Sequence, residues 1–204
     1  IGLTYGKNLA QSCEIGSRLA ASGICITDAC DMEEFEEQKY GKRLMYSCFA
    51  AHKAQDIFSQ QLIVTNGVEM CQPLADPDRA VQVIGENRFD FVLGSLHKTR
   101  KYGDMMMLNY AHPALDLQDV FRSYYEELLE VVQWGHFDSL AHLGYPLRYL
   151  KPYNRTVDLA QIYDVFAEIM KSLVAQGKAL ELNTGGLRME IEAFTPSNKY
   201  LQMY

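Results

Sequence analysis

Apolar and polar positions along the chain alternate between two periods. Residues 7–22 place Leu9, Ile15, Leu19 and Ala20 on one imperfect helical face, and Gly23 stands where a C′ glycine ends a helix. Ile24-Cys25-Ile26-Thr27 then reads as a strand. Residues 40–60 return to helical spacing with Leu44, Phe49, Ala50, Ala54, Ile57 and Phe58, followed by the strand Leu62-Ile63-Val64. A helix over 76–87 is predicted from Asp76 as cap and Pro77 in the first turn, with a strand at 89–93 after it. The clearest helix is 116–134. Leu117, Val120, Phe121, Tyr124, Leu128 and Val131 stay in register, and Asp116 and Asp119 occupy the first turn. A strand at 137–141, a helix at 157–176 closed by Gly177, and a fifth strand at 179–182 complete the series. Pro196 opens one further helical pattern carrying Tyr200, Leu201 and Tyr204.

Short, almost wholly apolar strands separated by helices predict parallel pairing with both sheet faces covered. The expectation is an α/β fold in a single domain over residues 1–204. In such folds ligands bind at the C-terminal ends of the strands. The two connections longer than usual, 98–115 and 143–157, then become candidates for function.

Composition narrows the choice of chemistry. Nineteen Lys and Arg against 26 Asp and Glu give a net charge of −7, which opposes binding to nucleic acid or to an anionic membrane surface. No stretch is long and apolar enough to span a bilayer. Five cysteines (Cys13, Cys25, Cys30, Cys48 and Cys71) follow no CxxC spacing and read as free thiols in a reducing, cytoplasmic setting. No basic segment followed by an apolar run marks a signal peptide. The chain opens without Met and stops inside a helical pattern, so both ends are expected to be cut.

The residues after each expected strand are Thr27-Asp28, Glu69, His97, His142 and Asn183. One carboxylate and two imidazoles at strand ends make up a ligand set for a divalent ion. His52, in mid-helix, and His136, in a turn, read as surface residues, and His112 as a loop residue. The run Met105-Met106-Met107 reads as loop packing. Arg148 and Arg188 sit in loops beyond the last two strands, the second after paired glycines, where a guanidinium can grip phosphate bidentately. Lys98 adds positive charge beside His97.

Five segments, in order, resemble the PHP (polymerase and histidinol phosphatase) superfamily, and within it the monofunctional histidinol-phosphatase branch. They are Ile26-Thr27-Asp28, Gly67-Val68-Glu69, the run from Phe89 to His97, the run from Phe137 to Leu143, and Leu180-Glu181-Leu182-Asn183-Thr184-Gly185-Gly186-Leu187-Arg188. The Tyr145…Arg148-Tyr149 loop adds to the likeness. The resemblance implies a distorted (β/α)7-type barrel, here without its first and last strands. It implies up to three divalent metals, zinc, iron or manganese, and fewer in this chain.

In that reading Glu69, His97 and His142 bind metal and, with Asp28, form the catalytic set. Arg148, Arg188, Tyr149 and Lys98 bind the substrate. The implied activity is hydrolysis of a small phosphoester, L-histidinol phosphate, in histidine biosynthesis. Neither a nucleic-acid nor a membrane partner is implied, and the oligomeric state is left open. Departures from the family pattern are specific. No His-x-His precedes position 52, no Asp-x-His closes the chain, and Ala29 stands where the family's Thr-Asp-His motif has histidine. Ala29 supports an alternative, a PHP-like protein that binds a ligand or partner with weakened catalysis. A polymerase-associated nuclease is disfavoured by the acidic charge.

Overall fold

The computed structural model describes residues 9–185 together with residues 202 and 204; Arg188 and Pro196 lie outside them. Contacts divide the chain into two compact units, one up to Gly94 with His136–Asp138, the other Ser95–Gly135 with Ser139 onward.

The first unit runs α1 (Leu9–Arg18), β1 (Gly23–Asp31), α2 (Tyr40–Phe58), β2 (Ile63–Cys71) and α3 (Pro77–Asn87), with β3 (Phe91–Ser95) reaching its boundary. β1 and β2 pair in parallel from Gly23 opposite Ile63 to Asp31 opposite Cys71, and β3 lies beside β2. Side chains alternate between faces along a strand. Ile24, Ile26 and Val64 point toward the helices, forming a core with Cys13, Ala51, Ala54 and Phe58. Cys25, Thr27, Ala29 and Asp31, with their partners Thr65, Gly67, Glu69 and Cys71, occupy the other face. On that face Gly67 is required by close approach. A Cβ there would stand 2.8 Å from Cys25 Sγ, 2.9 Å from Thr27 Cγ2 and 2.6 Å from the Phe91 carbonyl oxygen.

α1 ends sooner than its sequence pattern predicts. Ala20 takes the left-handed conformation (φ 53°) in place of Gly23. Gly23 opens β1 instead, where a Cβ would meet Ile63 O at 3.0 Å. β1 and β2, at nine residues each, are longer than expected because pairing continues through polar positions such as Asp28, Thr65 and Asn66. Two aspartates entering the next strands add reciprocal ties. Asp90 N–H donates to Asn66 O (2.7 Å) while Asp90 Oδ2 accepts from Asn66 N–H (2.8 Å). Asp138 N–H donates to Val92 O (2.8 Å) while its Oδ2 accepts from Val92 N–H (2.7 Å).

The second unit contains the antiparallel hairpin β4 (Lys98–Thr99) and β5 (Gly103–Asp104), α4 (Leu117–Trp134), β6 (Ser139–Leu140), α5 (Tyr163–Gln176) and β7 (Ala179–Leu180). β6 and β7 pair in parallel but hold two residues each, fewer than the sequence predicts. The predicted register of α4 holds, since Val120, Phe121, Tyr124, Leu128 and Val131 are all fully buried. Asp116 caps this helix by accepting from Asp119 N–H at 3.1 Å, and Gly135 (φ 71°) ends it. The start of the helix expected over 157–176 is a 3₁₀ turn, Leu159–Ile162, before α5.

Both long connections are ordered by local structure. The first begins with the β4–β5 hairpin and the second carries 3₁₀ turns at Tyr145–Tyr149 and Lys151–Tyr153. Arg155 donates to the carbonyls of Tyr110, His112 and Leu115, at 3.1, 3.2 and 3.2 Å, and so fixes one loop against the other. Of the methionine run, Met105 is buried, while Met106 and Met107 are exposed. All five cysteines are free, with Cys13, Cys30 and Cys71 buried. Burial, then the charge of Asp31, pushes the Cys30 thiol up to about 12, which keeps it protonated and inert.

Two substitutions test this packing. Asp116→Ala removes a helix cap and is expected to cost about 1 kcal/mol, lowering the melting temperature by roughly 2–4 °C. Gly67→Ala forces a methyl group into backbone and side chain and should cost more, roughly 1–3 kcal/mol. Thermal denaturation followed by circular dichroism checks both; a Gly67→Ala protein as stable as the parent would contradict the packing described.

Candidate metal centre

In the second unit His97 lies two residues beyond the last residue of β3, and His142 two residues beyond the end of β6. Their Nε2 atoms are 3.1 Å apart, and the rings stack with centroids 4.9 Å apart at 25°. Neighbouring backbone is held by name. Tyr124 hydroxyl donates to Leu96 O (3.0 Å), and Met105 N–H donates to His97 O (3.0 Å). His142 is buried and takes the left-handed sign of φ (26°), uncommon for a residue with a side chain. Its N–H donates to Glu181 Oε2 at 2.6 Å, and its carbonyl accepts from Tyr145 N–H at 2.7 Å.

Two ring nitrogens this close either share one proton or turn their lone pairs toward one cation. Nitrogens each ~2.0–2.1 Å from a single zinc-like ion stand ~2.9–3.4 Å apart for angles between about 90° and 110°. The observed 3.1 Å falls in that range. The pair therefore fits a divalent metal, and its donor chemistry favours the borderline ions that accept imidazole.

Tyr145 packs on both imidazoles, with centroids 4.7 Å from His97 and 5.1 Å from His142. Burial first, then the hydrogen bond with Tyr149, raises the pKa of its hydroxyl, so Tyr145 remains a neutral O–H. The guanidinium carbon of Arg148 lies 4.6 Å from the centre of the Tyr145 ring, a cation–π contact that brings positive charge beside the histidine pair. Tyr149 meets Tyr145 edge-on at 5.5 Å and stacks on Tyr110 at 5.7 Å. Lys98 sits on β4 opposite Asp104. His142, Arg148 and Tyr149 are thus gathered around one aromatic ring that the sequence did not single out as functional. Arg188 falls outside the described residues.

In the first unit Glu69 occupies the end of β2, directly opposite Ala29 of β1. Asp28 requires a correction. Strand alternation sets it on the face shared with Ile24 and Ile26, away from the face of Ala29 and Glu69. The β1 carboxylate on the Glu69 face is Asp31, nearly buried and accepting from Glu33 N–H at 2.9 Å. Its parity with Ala29 was the only sequence signal for it. His52, His112 and His136 are exposed, as their sequence context predicts.

Comparison with known proteins follows the same lines. Residues 8–185 match the family model described as the PHP domain. The chain is 27% identical over 164 residues to the histidinol-phosphatase of Lactococcus lactis, covering 79% of this chain and 60% of that protein. It is 32% identical over 110 residues to a Thermotoga maritima protein named probable histidinol-phosphatase, covering 54% of this chain and 40% of that one. The chain thus spans less than two thirds of the length of these curated relatives.

Among solved structures, the hisK product of Listeria monocytogenes superposes with a TM-score of 0.78 at 15% identity, over 99% of this chain and 89% of that one. The histidinol phosphate phosphatase of Lactococcus lactis, solved with zinc, L-histidinol and phosphate, gives 0.62 at 22% identity, over 88% and 68%. At these identities the likeness establishes a shared fold. With the family match running through almost the whole described chain, this protein belongs to the PHP domain family.

Proposed function

We propose that the protein is a metal-dependent phosphomonoesterase acting on L-histidinol phosphate, with Glu69, His97 and His142 holding the metal. The observation that carries the reading is the pair of imidazole nitrogens 3.1 Å apart beside a buried tyrosine. Further support is the residue chemistry: a strand-end carboxylate, Glu69, is the kind of oxygen ligand that completes a site begun by two imidazoles. Zinc, iron and manganese all match this donor set, and zinc accompanies the Lactococcus relative.

When bound, a divalent ion lowers the pKa of a coordinated water and polarises the phosphoryl oxygens. The chain's own residues do the rest. His97 and His142 hold their Nε2 atoms 3.1 Å apart. Arg148, steadied on the Tyr145 ring, neutralises phosphate charge through bidentate donation, with Arg188 as a second guanidinium and Tyr149 and Lys98 bordering the substrate. Tyr145, as a neutral phenol, packs on both imidazoles and carries Arg148 on its face. Asp28, on the helix-facing side of β1, drops out of the catalytic set. A place in histidine biosynthesis belongs to this reading. So does the cytoplasm, supported by five free thiols. Among the described residues no helix is long and apolar enough to cross a membrane.

A second reading, binding with weakened catalysis, is favoured by one observation: the residue directly opposite Glu69 is Ala29, which offers no ligand atom. Metal content and turnover measured together separate the two readings.

Glu69→Gln should lower the zinc bound per chain after dialysis, as read by plasma emission, with the fold intact by circular dichroism; full zinc content would remove Glu69 from the site. Arg148→Ala should raise KM for L-histidinol phosphate by about 10- to 100-fold while zinc content stays at the parent level. An unchanged KM would mean that the phosphate is held elsewhere.

A further inference from the structure

The tie between Glu181, which directly follows β7, and His142 differs from the ties made at the entries of β3 and β6. Asp90 and Asp138 each exchange two bonds with the single residue opposite, Asn66 or Val92. Glu181 donates its N–H to Leu140 O at 2.9 Å, as a parallel ladder continuing from Leu140 opposite Leu180 requires. The next bond of such a ladder would run from His142 N–H to the Glu181 backbone carbonyl. Here His142 N–H meets the side-chain carboxylate, Oε2, at 2.6 Å instead. The additional methylene of glutamate lets it reach two residues beyond the one its backbone engages.

That substitution has a consequence for the histidine. Freed from the regular ladder, His142 turns to φ 26°. Such a conformation is strained and persists only where its surroundings hold it. A bond as short as 2.6 Å to a side-chain oxygen supplies such a hold. The carboxylate is itself held. Asn183 Nδ2 donates to the same Oε2 (3.2 Å), and Asn183 Oδ1 accepts from Gly185 N–H (2.8 Å).

We infer that Glu181 is a positioning residue: its carboxylate fixes the backbone of His142 so that the imidazole meets His97 at metal-binding separation. The inference rests on the metal reading above and goes further, since it assigns a role to a side chain that binds neither metal nor substrate. Glutamine retains an acceptor oxygen at the same reach. Aspartate retains the charge, but its reach is that of Asp90 and Asp138, which engage the residue directly opposite and not the one two positions on.

The test compares Glu181→Ala, Glu181→Asp and Glu181→Gln with the parent chain. In the first arm, zinc affinity is measured by competition with a chelating dye. Alanine and aspartate should each weaken binding about 10- to 100-fold, and glutamine should stay within about threefold of the parent. In the second arm, histidine-ring nitrogen and carbon signals are recorded by NMR on the zinc-free chains. The signals of His97 and His142 should move in the alanine and aspartate variants and hold their places in glutamine, while His52 is unaffected throughout. Parent-like ring signals in both Glu181→Ala and Glu181→Asp would overturn the assignment. Should alanine fail to fold, aspartate against glutamine carries the comparison. A parent chain that takes up no zinc would defeat the metal reading alone, and the ring signals would still decide the role of Glu181.

Discussion

A backbone N–H at the end of a strand must find an acceptor as the ladder runs out, because leaving it unpaired in the interior costs as much as a lost hydrogen bond. In this protein carboxylate side chains supply that acceptor repeatedly. Asp90 closes on Asn66, Asp138 on Val92 and Glu181 on His142. Asp90 and Asp138 stand at the entries of β3 and β6, and Glu181 just past the end of β7. Where the side chain is short the tie is reciprocal and the ladder stays regular. Where it is longer, at Glu181, the partner leaves the ladder, and that partner is one of the two stacked histidines.

The chemistry follows from that release. His142 turns away from regular extended backbone, its ring meets His97, and the 3₁₀ turn beginning three residues later brings Tyr145 against both rings. Tyr145 in turn carries Arg148 on its face and Tyr149 on its edge. Imidazole pair, neutral phenol and guanidinium are thus ordered by one short stretch of chain, residues 142–149. In the proposed reading the imidazole pair meets the cation and the guanidinium the phosphate. Ala29 is the feature that pulls the other way, because at the position across the ladder from Glu69 it offers no ligand atom.

Much of this was legible in the residues. Alternating strand and helix patterns predicted the α/β fold, parallel pairing holds in both units, and α4 matches its predicted face position by position. The strand-end rule pointed to Glu69, His97 and His142 by position and residue type, and the structure brings the two imidazoles together. Other features depended on tertiary structure. Asp28 was selected by adjacency in sequence, whereas the two-residue period of β1 sets it on the opposite face from Glu69. Tyr145 read as part of a loop, since its contacts arise only once a 3₁₀ turn folds it back. Glu181 read as an ordinary residue of a fifth strand; its role exists because that strand stops at Leu180. The length of β1 and β2 was underestimated because polar residues continue the pairing where apolar ones end.

The central claim is that His97 and His142 bind one metal ion through nitrogen. Zinc K-edge X-ray absorption on the zinc-loaded chain tests it most directly. The account predicts imidazole scattering from two histidines at ~2.0–2.1 Å together with oxygen ligation. A zinc shell without imidazole, or a chain that retains no zinc, would contradict it.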